Sequence, residues 1–142
     1  MSYKSNFQDL ISLFKQQPSW QDRYRQIIQL AKTLPTFPTE WKTLENQIQG
    51  CENKAWLYFQ YDSTHHILQF YADSEGRIVK GLLAILVMLT EGKSPQYIAD
   101  CDFWAILKEM NVIEGLSQTR QLGLTRAIER IHQIAQNNLH LN

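Results

Sequence analysis

The chain has 142 residues, of which 44% are apolar, and its 14 basic and 14 acidic side chains leave no formal net charge. This length suits one compact domain, which we expect to span residues 1–142 and to form a core without metals or disulfides. A neutral chain lacks the long-range field with which most nucleic-acid and anionic-membrane binders attract their partners, so neither class of partner is expected.

The first half of the chain predicts two amphipathic helices and a β-hairpin. Apolar residues at helical spacing favour a helix over residues 7–14. Ser19 can cap a second helix, whose apolar residues lie on one face as far as Leu34 and which stops at Pro35. Residues 35–50 lose this period and predict a connector with one short helical turn around Trp41. Residues 55–61 and 66–72 are then typical of antiparallel strands joined by a turn at residues 62–64.

An apolar helix is expected next. It should run from about Gly76 to Gly92, with Asp73 or Ser74 as its cap, and be buried on nearly all sides. Its uninterrupted apolar run, residues 81–89, has only nine residues. A membrane span needs roughly 20, so no transmembrane role is expected.

The remaining chain predicts three further helices. Ser94 and Pro95 have the order of a cap and first helical residue, residues 103–110 favour another short helix, and Ser117 opens a last helix with one apolar stripe. The C-terminal residues are polar, and we expect them to be frayed. Several helices around one small antiparallel sheet indicate an α+β fold.

The chain has two cysteines, Cys51 and Cys101, and no recognisable secretory leader, so we expect free thiols and a cytoplasmic protein. Cys51 lies in the polar stretch Gln49-Gly50-Cys51-Glu52-Asn53-Lys54, where its thiol should be reachable and where Gly50 would let another backbone approach closely. Cys101 lies between Asp100 and Asp102, whose charge should raise its pKa. It is therefore expected to be a half-buried structural residue.

Reactivity requires thiolate, and an unperturbed cysteine is only about 3% ionised at neutral pH. A nearby cation would increase this fraction, and Lys54, Arg77 and Arg120 are the candidates. Glu52 would oppose it. Each of these side chains could equally be solvated surface charge.

Other chemistries find little support in the sequence. A cysteine hydrolase needs a histidine base, but His65 and His66 fall at the predicted hairpin turn and His132 and His140 near the C-terminus, where we expect surface positions. The spacings of metal sites, such as Cys-x-x-Cys, are missing from the sequence, as are a P-loop and a dinucleotide-binding glycine turn. We therefore expect no metal and no cofactor, and we place Trp56 and the other aromatic residues in the core.

Four ordered blocks resemble a known family, the SufE and CsdE sulfur acceptors of iron-sulfur cluster assembly, over nearly the whole chain. They are Trp20 with Tyr24-Arg25-Gln26-Ile27-Ile28-Gln29-Leu30 and Leu34-Pro35; Asn46-Gln47-Ile48-Gln49-Gly50-Cys51-Glu52-Asn53 with Trp56; Asp73-Ser74-Glu75-Gly76-Arg77-Ile78-Val79-Lys80-Gly81-Leu82; and Ser117-Gln118-Thr119-Arg120 with Gly123-Leu124. The second and third blocks look closer to the CsdE branch.

The resemblance implies an IscU-like fold and a role for Cys51 as acceptor of persulfide sulfur from a cysteine desulfurase of the SufS or CsdA type, with no turnover of its own. Pyridoxal phosphate would belong to that desulfurase, which the chain would stimulate, and the sulfur would pass to a recipient such as an iron-sulfur scaffold. Candidate supporting or partner-contact residues are Gln49, Gly50, Glu52, Trp56, Asp73, Arg77 and Arg120, with Lys80 as a weaker one. An iron-sulfur scaffold and a desulfurase activator that works by contact alone are alternatives.

Two residues depart from the family pattern: Ala31 replaces a glycine, and Leu122 replaces a polar Asn or Gln beside Gly123. Ala31 should be accepted easily in a helix. We also expect the loop at Gly50 and Cys51 to rest with the sulfur turned toward apolar walls, including Trp56, and to swing outward when a partner binds.

Overall fold

The computed structural model describes residues 7–139. Within that range the chain forms helices α1 (Phe7–Lys15), α2 (Trp20–Ala31), α3 (Arg77–Thr90), α4 (Pro95–Asp100), α5 (Phe103–Glu109) and α6 (Gln118–Asn137), strands β1 (Ala55–Asp62) and β2 (Ile67–Ser74), and a 3₁₀ turn at Thr39–Trp41. The predicted α+β fold is confirmed. The side chain of Phe7 and the predicted frayed C-terminus, with His140, lie outside the described residues.

The sheet is an antiparallel hairpin in which Ala55 pairs with Ser74 and Asp62 with Ile67. One face of the hairpin supplies buried side chains to the core. On the other face Trp41, from the 3₁₀ turn, stacks on Tyr58 at 4.0 Å and lies 5.2 Å from Tyr71 between ring centroids. The residues that precede Cys51 are therefore packed against the outside of the sheet.

The end of the connector is also hydrogen-bonded to β1. The Ile48 N–H donates to the Ala55 carbonyl, and the Leu57 N–H donates to the Asn46 carbonyl. These bonds make the connector a short third edge of the sheet. They leave Cys51 in the tight segment between that edge and the start of β1.

Helix α3 is the centre of the core, because its residues 81–87 are all buried and it packs on α2, β2 and α6. This confirms a helix buried on nearly all sides. Gly81 lets α2 approach closely, since a β-carbon there would overlap the backbone of Ile27. No helix within residues 7–139 combines the length and hydrophobicity needed to cross a membrane.

The serine caps predicted for three helices are present. The hydroxyl oxygens of Ser19, Ser94 and Ser117 accept hydrogen bonds from the N–H groups of Asp22, Tyr97 and Arg120. These bonds satisfy N–H groups that a helix leaves without partners in its first turn.

The predicted start of α3 near Gly76 is confirmed, but its predicted side-chain cap and the predicted end of α2 are wrong. Helix α3 begins after Gly76, with no side-chain cap, because Ser74 is still the last residue of β2. Its hydroxyl donates to the Lys54 carbonyl and accepts from the Gly76 N–H, so it joins the two strand ends. Helix α2 ends at Ala31, before Leu34, which is half-buried against the core beyond the helix end.

Candidate functional site

The sulfur of Cys51 points into the protein. The residue is half-buried, and its side chain lies in a cavity whose free volume is about 10 Å³, near the lower limit for one water molecule. The other residues that line this cavity are Ile48, Val79, Leu82, Leu83, Arg120, Gly123 and Leu124. The thiol is thus less reachable than expected, and it nearly fills an apolar compartment.

Gly123 on α6 makes room for the sulfur. A β-carbon built on Gly123 would lie 2.9 Å from Cys51 Sγ and 3.7 Å from Cys51 Cβ. Glycine inside a helix costs about 1 kcal/mol relative to alanine, and here that cost accompanies a close contact with the loop. In the sequence, the signal that could have pointed to such a contact is a glycine inside a predicted helix.

Burial raises the pKa of the Cys51 thiol above its ordinary value. Removal from water disfavours the charged thiolate, so the inward position favours the neutral thiol. A neutral thiol is a poor nucleophile. The inward position therefore lowers the nucleophilicity of Cys51.

Arg120 is the candidate cation that the structure places at this cavity. Its guanidinium donates a hydrogen bond of 2.8 Å to the Tyr24 hydroxyl and lies 5.8 Å from the centroid of the same ring. Arg120 therefore joins α6 to α2 along one wall of the compartment.

The other predicted polar candidates lie around the cavity and do not line it. Gln49, Glu52 and Lys54 are exposed. Arg77 is also exposed and contributes to a separate polar cavity at the start of α3, which Arg120 shares.

Trp56 and Asp73 belong to a cluster that lies outside the Cys51 cavity. Trp56 is buried under the ammonium of Lys42, which lies 4.9 Å from the ring centroid, so it is not the expected wall. Asp73 accepts from Lys42 at 3.1 Å and from Lys80 at 3.2 Å. Burial works to raise the pKa of Asp73, but hydrogen bonds from Lys42, the Ser74 N–H and Lys80 outweigh it and lower that pKa. The cluster ties the connector to β2 and α3.

Cys101 is half-buried, as predicted, and burial together with the charge of Asp102 raises its pKa. Nε2 of His132 lies 2.8 Å from the Cys101 carbonyl oxygen, and because that oxygen can only accept, Nε2 carries the proton of this hydrogen bond. The His132 ring packs 5.3 Å from Phe103. The predicted surface position of His132 is therefore wrong, because the α6 stripe turns this ring toward α5.

His65 and His66 occupy the exposed hairpin turn, as predicted. His65 Nδ1 lies 2.8 Å from an Asp62 carboxylate oxygen. Neither histidine lines the Cys51 cavity. In the part of the chain that the structure describes, no group of three or more Cys, His, Asp or Glu side chains could hold a metal ion.

Comparisons with known proteins give a consistent result. A family model described as "SufE: Fe-S metabolism associated domain" matches residues 8–135. The sulfur acceptor protein CsdE of Escherichia coli is 40% identical over 112 residues, covering 79% of this chain and 76% of its own. The cysteine desulfuration protein SufE of Wigglesworthia glossinidia brevipalpis is 34% identical over 122 residues, covering 86% of this chain and 82% of its own.

The fold also has a counterpart among solved structures. The solution structure of a hypothetical protein from Thermus thermophilus aligns with a TM-score of 0.77 at 18% identity, over 94% of this chain and 95% of that one. This likeness bears on the arrangement of helices and strands alone.

Proposed function

Because this chain belongs to the SufE family, we propose that it accepts persulfide sulfur from a cysteine desulfurase on Cys51 and carries it to another protein. The relatives named as a sulfur acceptor protein and a cysteine desulfuration protein support this function. The observation that carries it is the position of Cys51, in the middle of a short loop with its sulfur in an apolar compartment. A carrier needs such a shelter for sulfur between donor and recipient.

The transfer is a thiol exchange. The Cys51 thiolate attacks the outer sulfur of the donor persulfide, so a new S–S bond forms on Cys51 while the donor S–S bond breaks. The donor cysteine leaves as a thiolate and takes up a proton. Sulfur moves as a neutral atom between two cysteines, and no external oxidant or reductant is needed.

The loop must move for this reaction. In the resting position the pKa of the thiol is raised and its sulfur faces inward. An outward swing would bring Cys51 into water or into the desulfurase, where thiolate forms more readily. We infer that docking selects this outward loop and that the sulfur returns to the compartment afterwards.

From membership of the family we also infer the domain extent, the location, the absence of a cofactor and the absence of turnover. One domain over residues 1–142 acts in the cytoplasm, holds no cofactor and has no turnover of its own. Pyridoxal phosphate belongs to the desulfurase, and an iron-sulfur scaffold is one recipient class. A scaffold role for this chain itself would require ligands beside Cys51, and the cavity lining supplies apolar side chains and one arginine.

The proposed function is tested by desulfurase turnover, measured as alanine release from cysteine. The intact chain and its Cys101→Ser variant should stimulate turnover equally, and Cys51→Ser should not stimulate it. Full stimulation by Cys51→Ser would overturn sulfur acceptance and favour an activator that works by contact alone. A coloured protein after anaerobic loading with iron and sulfide would instead favour the scaffold.

A further inference from the structure

Two side chains of α6 lie beside Gly50, the exposed loop residue that precedes Cys51. A β-carbon built on Gly50 would lie 3.3 Å from Arg126 Cγ and 3.7 Å from Leu122 Cδ2. Leu122 and Arg126 are one helical turn apart, so they project from the same face of α6. Gly50 itself has a φ of 86°, in the left-handed region that favours glycine. We expected another backbone to approach closely at Gly50, but the groups that do so are side chains.

Helix α6 also contacts the loop through its backbone. Gly123, the neighbour of Leu122, is in contact with the sulfur of Cys51. The loop tip thus lies against α6, with Gly123 next to the Cys51 sulfur and with Leu122 and Arg126 beside Gly50, which is itself exposed. Sequence reasoning noted Leu122 only as a departure from the family pattern and did not consider Arg126.

The two ends of the loop are fixed more firmly than its tip. Arg130, one further turn along α6, donates to the carbonyls of Glu45 and Gln47, and Ile48 is hydrogen-bonded to β1. At the other end the Lys54 carbonyl accepts bonds from the Glu75 N–H and the Ser74 hydroxyl. Among the residues that the structure describes, no hydrogen bond joins residues 49–53 to α3, α6 or β1.

We propose that Leu122 and Arg126 form a clasp that holds Gly50 against α6, keeps the Cys51 sulfur in its cavity and must release before the thiol can react. The two are positioning residues, since they act on the sulfur through the loop. The purpose of the clasp rests on the proposed carrier function, but its action on the thiol does not need a desulfurase.

The chemistry of the two residues suits a clasp that opens. Leu122 is 45% exposed, so its apolar side chain is only partly removed from water, and its Cδ2 is among the atoms that lie closest to Gly50. Arg126 places both Cγ of its aliphatic stem and Nε near Gly50, while Nη1 of this exposed side chain lies 3.6 Å from the carboxylate of Glu129. Contacts of this kind stabilise the closed loop by an amount that thermal motion or a partner can overcome.

The test is the rate at which iodoacetamide alkylates Cys51 in the folded Cys101→Ser protein, read by intact mass. Leu122→Ala and Arg126→Ala should each raise this rate roughly fivefold, because the closed loop loses the buried part of a side chain. Arg126→Lys keeps the stem and should stay within about twofold of the parent. No desulfurase is present, so the outcome is independent of sulfur transfer.

Matched controls separate the clasp from general destabilisation. Leu44→Ala changes a leucine of the same connector that is 82% exposed, and Arg25→Ala removes an arginine that pairs with Asp22 three residues away, as Arg126 pairs with Glu129. Both should leave the rate unchanged. Alkylation of Cys101 in the Cys51→Ser protein should not respond to the clasp variants. Unchanged Cys51 rates in both alanine variants, or an equal acceleration of Cys101, would overturn the proposal.

Discussion

The sulfur of Cys51 occupies space that a side chain at Gly123 would need, since a β-carbon there would lie 2.9 Å from it. This contact predicts a strong coupling between the two positions. In an otherwise unchanged chain, Gly123→Ala should force the sulfur out of its cavity and accelerate alkylation of Cys51. The gain of about 1 kcal/mol that alanine usually brings to a helix should be cancelled by the displaced loop.

A double-mutant cycle isolates that contact. In a Cys51→Ala background the nearest atom at residue 51 would be a carbon about 3.7 Å away, an ordinary van der Waals distance, so Gly123→Ala should there be neutral or stabilising. Urea unfolding of the four proteins should give a coupling free energy on the order of 1 kcal/mol. Additive effects of the two substitutions would show that the sulfur does not rest on Gly123.

The raised pKa of Cys51 predicts a pH dependence. Burial favours the neutral thiol in the folded chain, so this preference stabilises the fold fully below the ordinary thiol pKa of about 8.5 and is lost as pH rises through the higher folded pKa. Thiolate absorbance of the Cys101→Ser protein should therefore titrate at higher pH when folded than in urea. A folded midpoint at or below the unfolded one would contradict the buried position.

The Asp73 cluster should matter for stability near neutral pH. Asp73→Asn keeps an oxygen for the Ser74 N–H but removes the charge that Lys42 and Lys80 share, and we expect a loss of about 1 kcal/mol in the free energy of unfolding. The pKa of Asp73 is lowered by folding, so its contribution is present above the ordinary value of about 3.9 and disappears as pH falls through the lowered one.

Urea unfolding at neutral pH and in acid checks this behaviour, with Glu75→Gln as the control. Glu75 is an exposed carboxylate two residues from Asp73. At neutral pH Asp73→Asn should lower the free energy of unfolding more than Glu75→Gln does. In acid the two variants should have the same free energy of unfolding. If Asp73→Asn still lowered the free energy of unfolding by the same amount at a pH where Asp73 of the parent is protonated, the effect would come from the shape of the side chain and not from its charge.

Local sequence signals predicted most of the fold. Ser94 with Pro95 and Ser117 marked helix starts correctly because a cap acts on an N–H only a few residues away. The cap predicted at Asp73 or Ser74 was wrong because the Ser74 hydroxyl bonds to Lys54, a partner that only the strand pairing brings near. Local spacing contains no information on that pairing.

The candidate site, like the fold, could be predicted from the sequence only in part. Cys51 and its glycine stood out in the sequence because a polar, irregular segment surrounds them. The cavity walls did not, since Val79, Leu82 and Leu124 are ordinary core residues whose contact with the sulfur depends on how α3 and α6 pack. Leu122 was visible as a departure from the family pattern and Gly123 as part of a matching block, but their link to Cys51 needed the structure.

Intact-protein mass after incubation with a cysteine desulfurase and cysteine shows whether Cys51 receives sulfur. Under nonreducing conditions the chain and its Cys101→Ser variant should gain the mass of one sulfur atom, reversed by a reducing thiol, while Cys51→Ser gains none. A sulfur adduct that persists in Cys51→Ser, or no adduct on the intact chain while the desulfurase turns over, would contradict sulfur acceptance by Cys51.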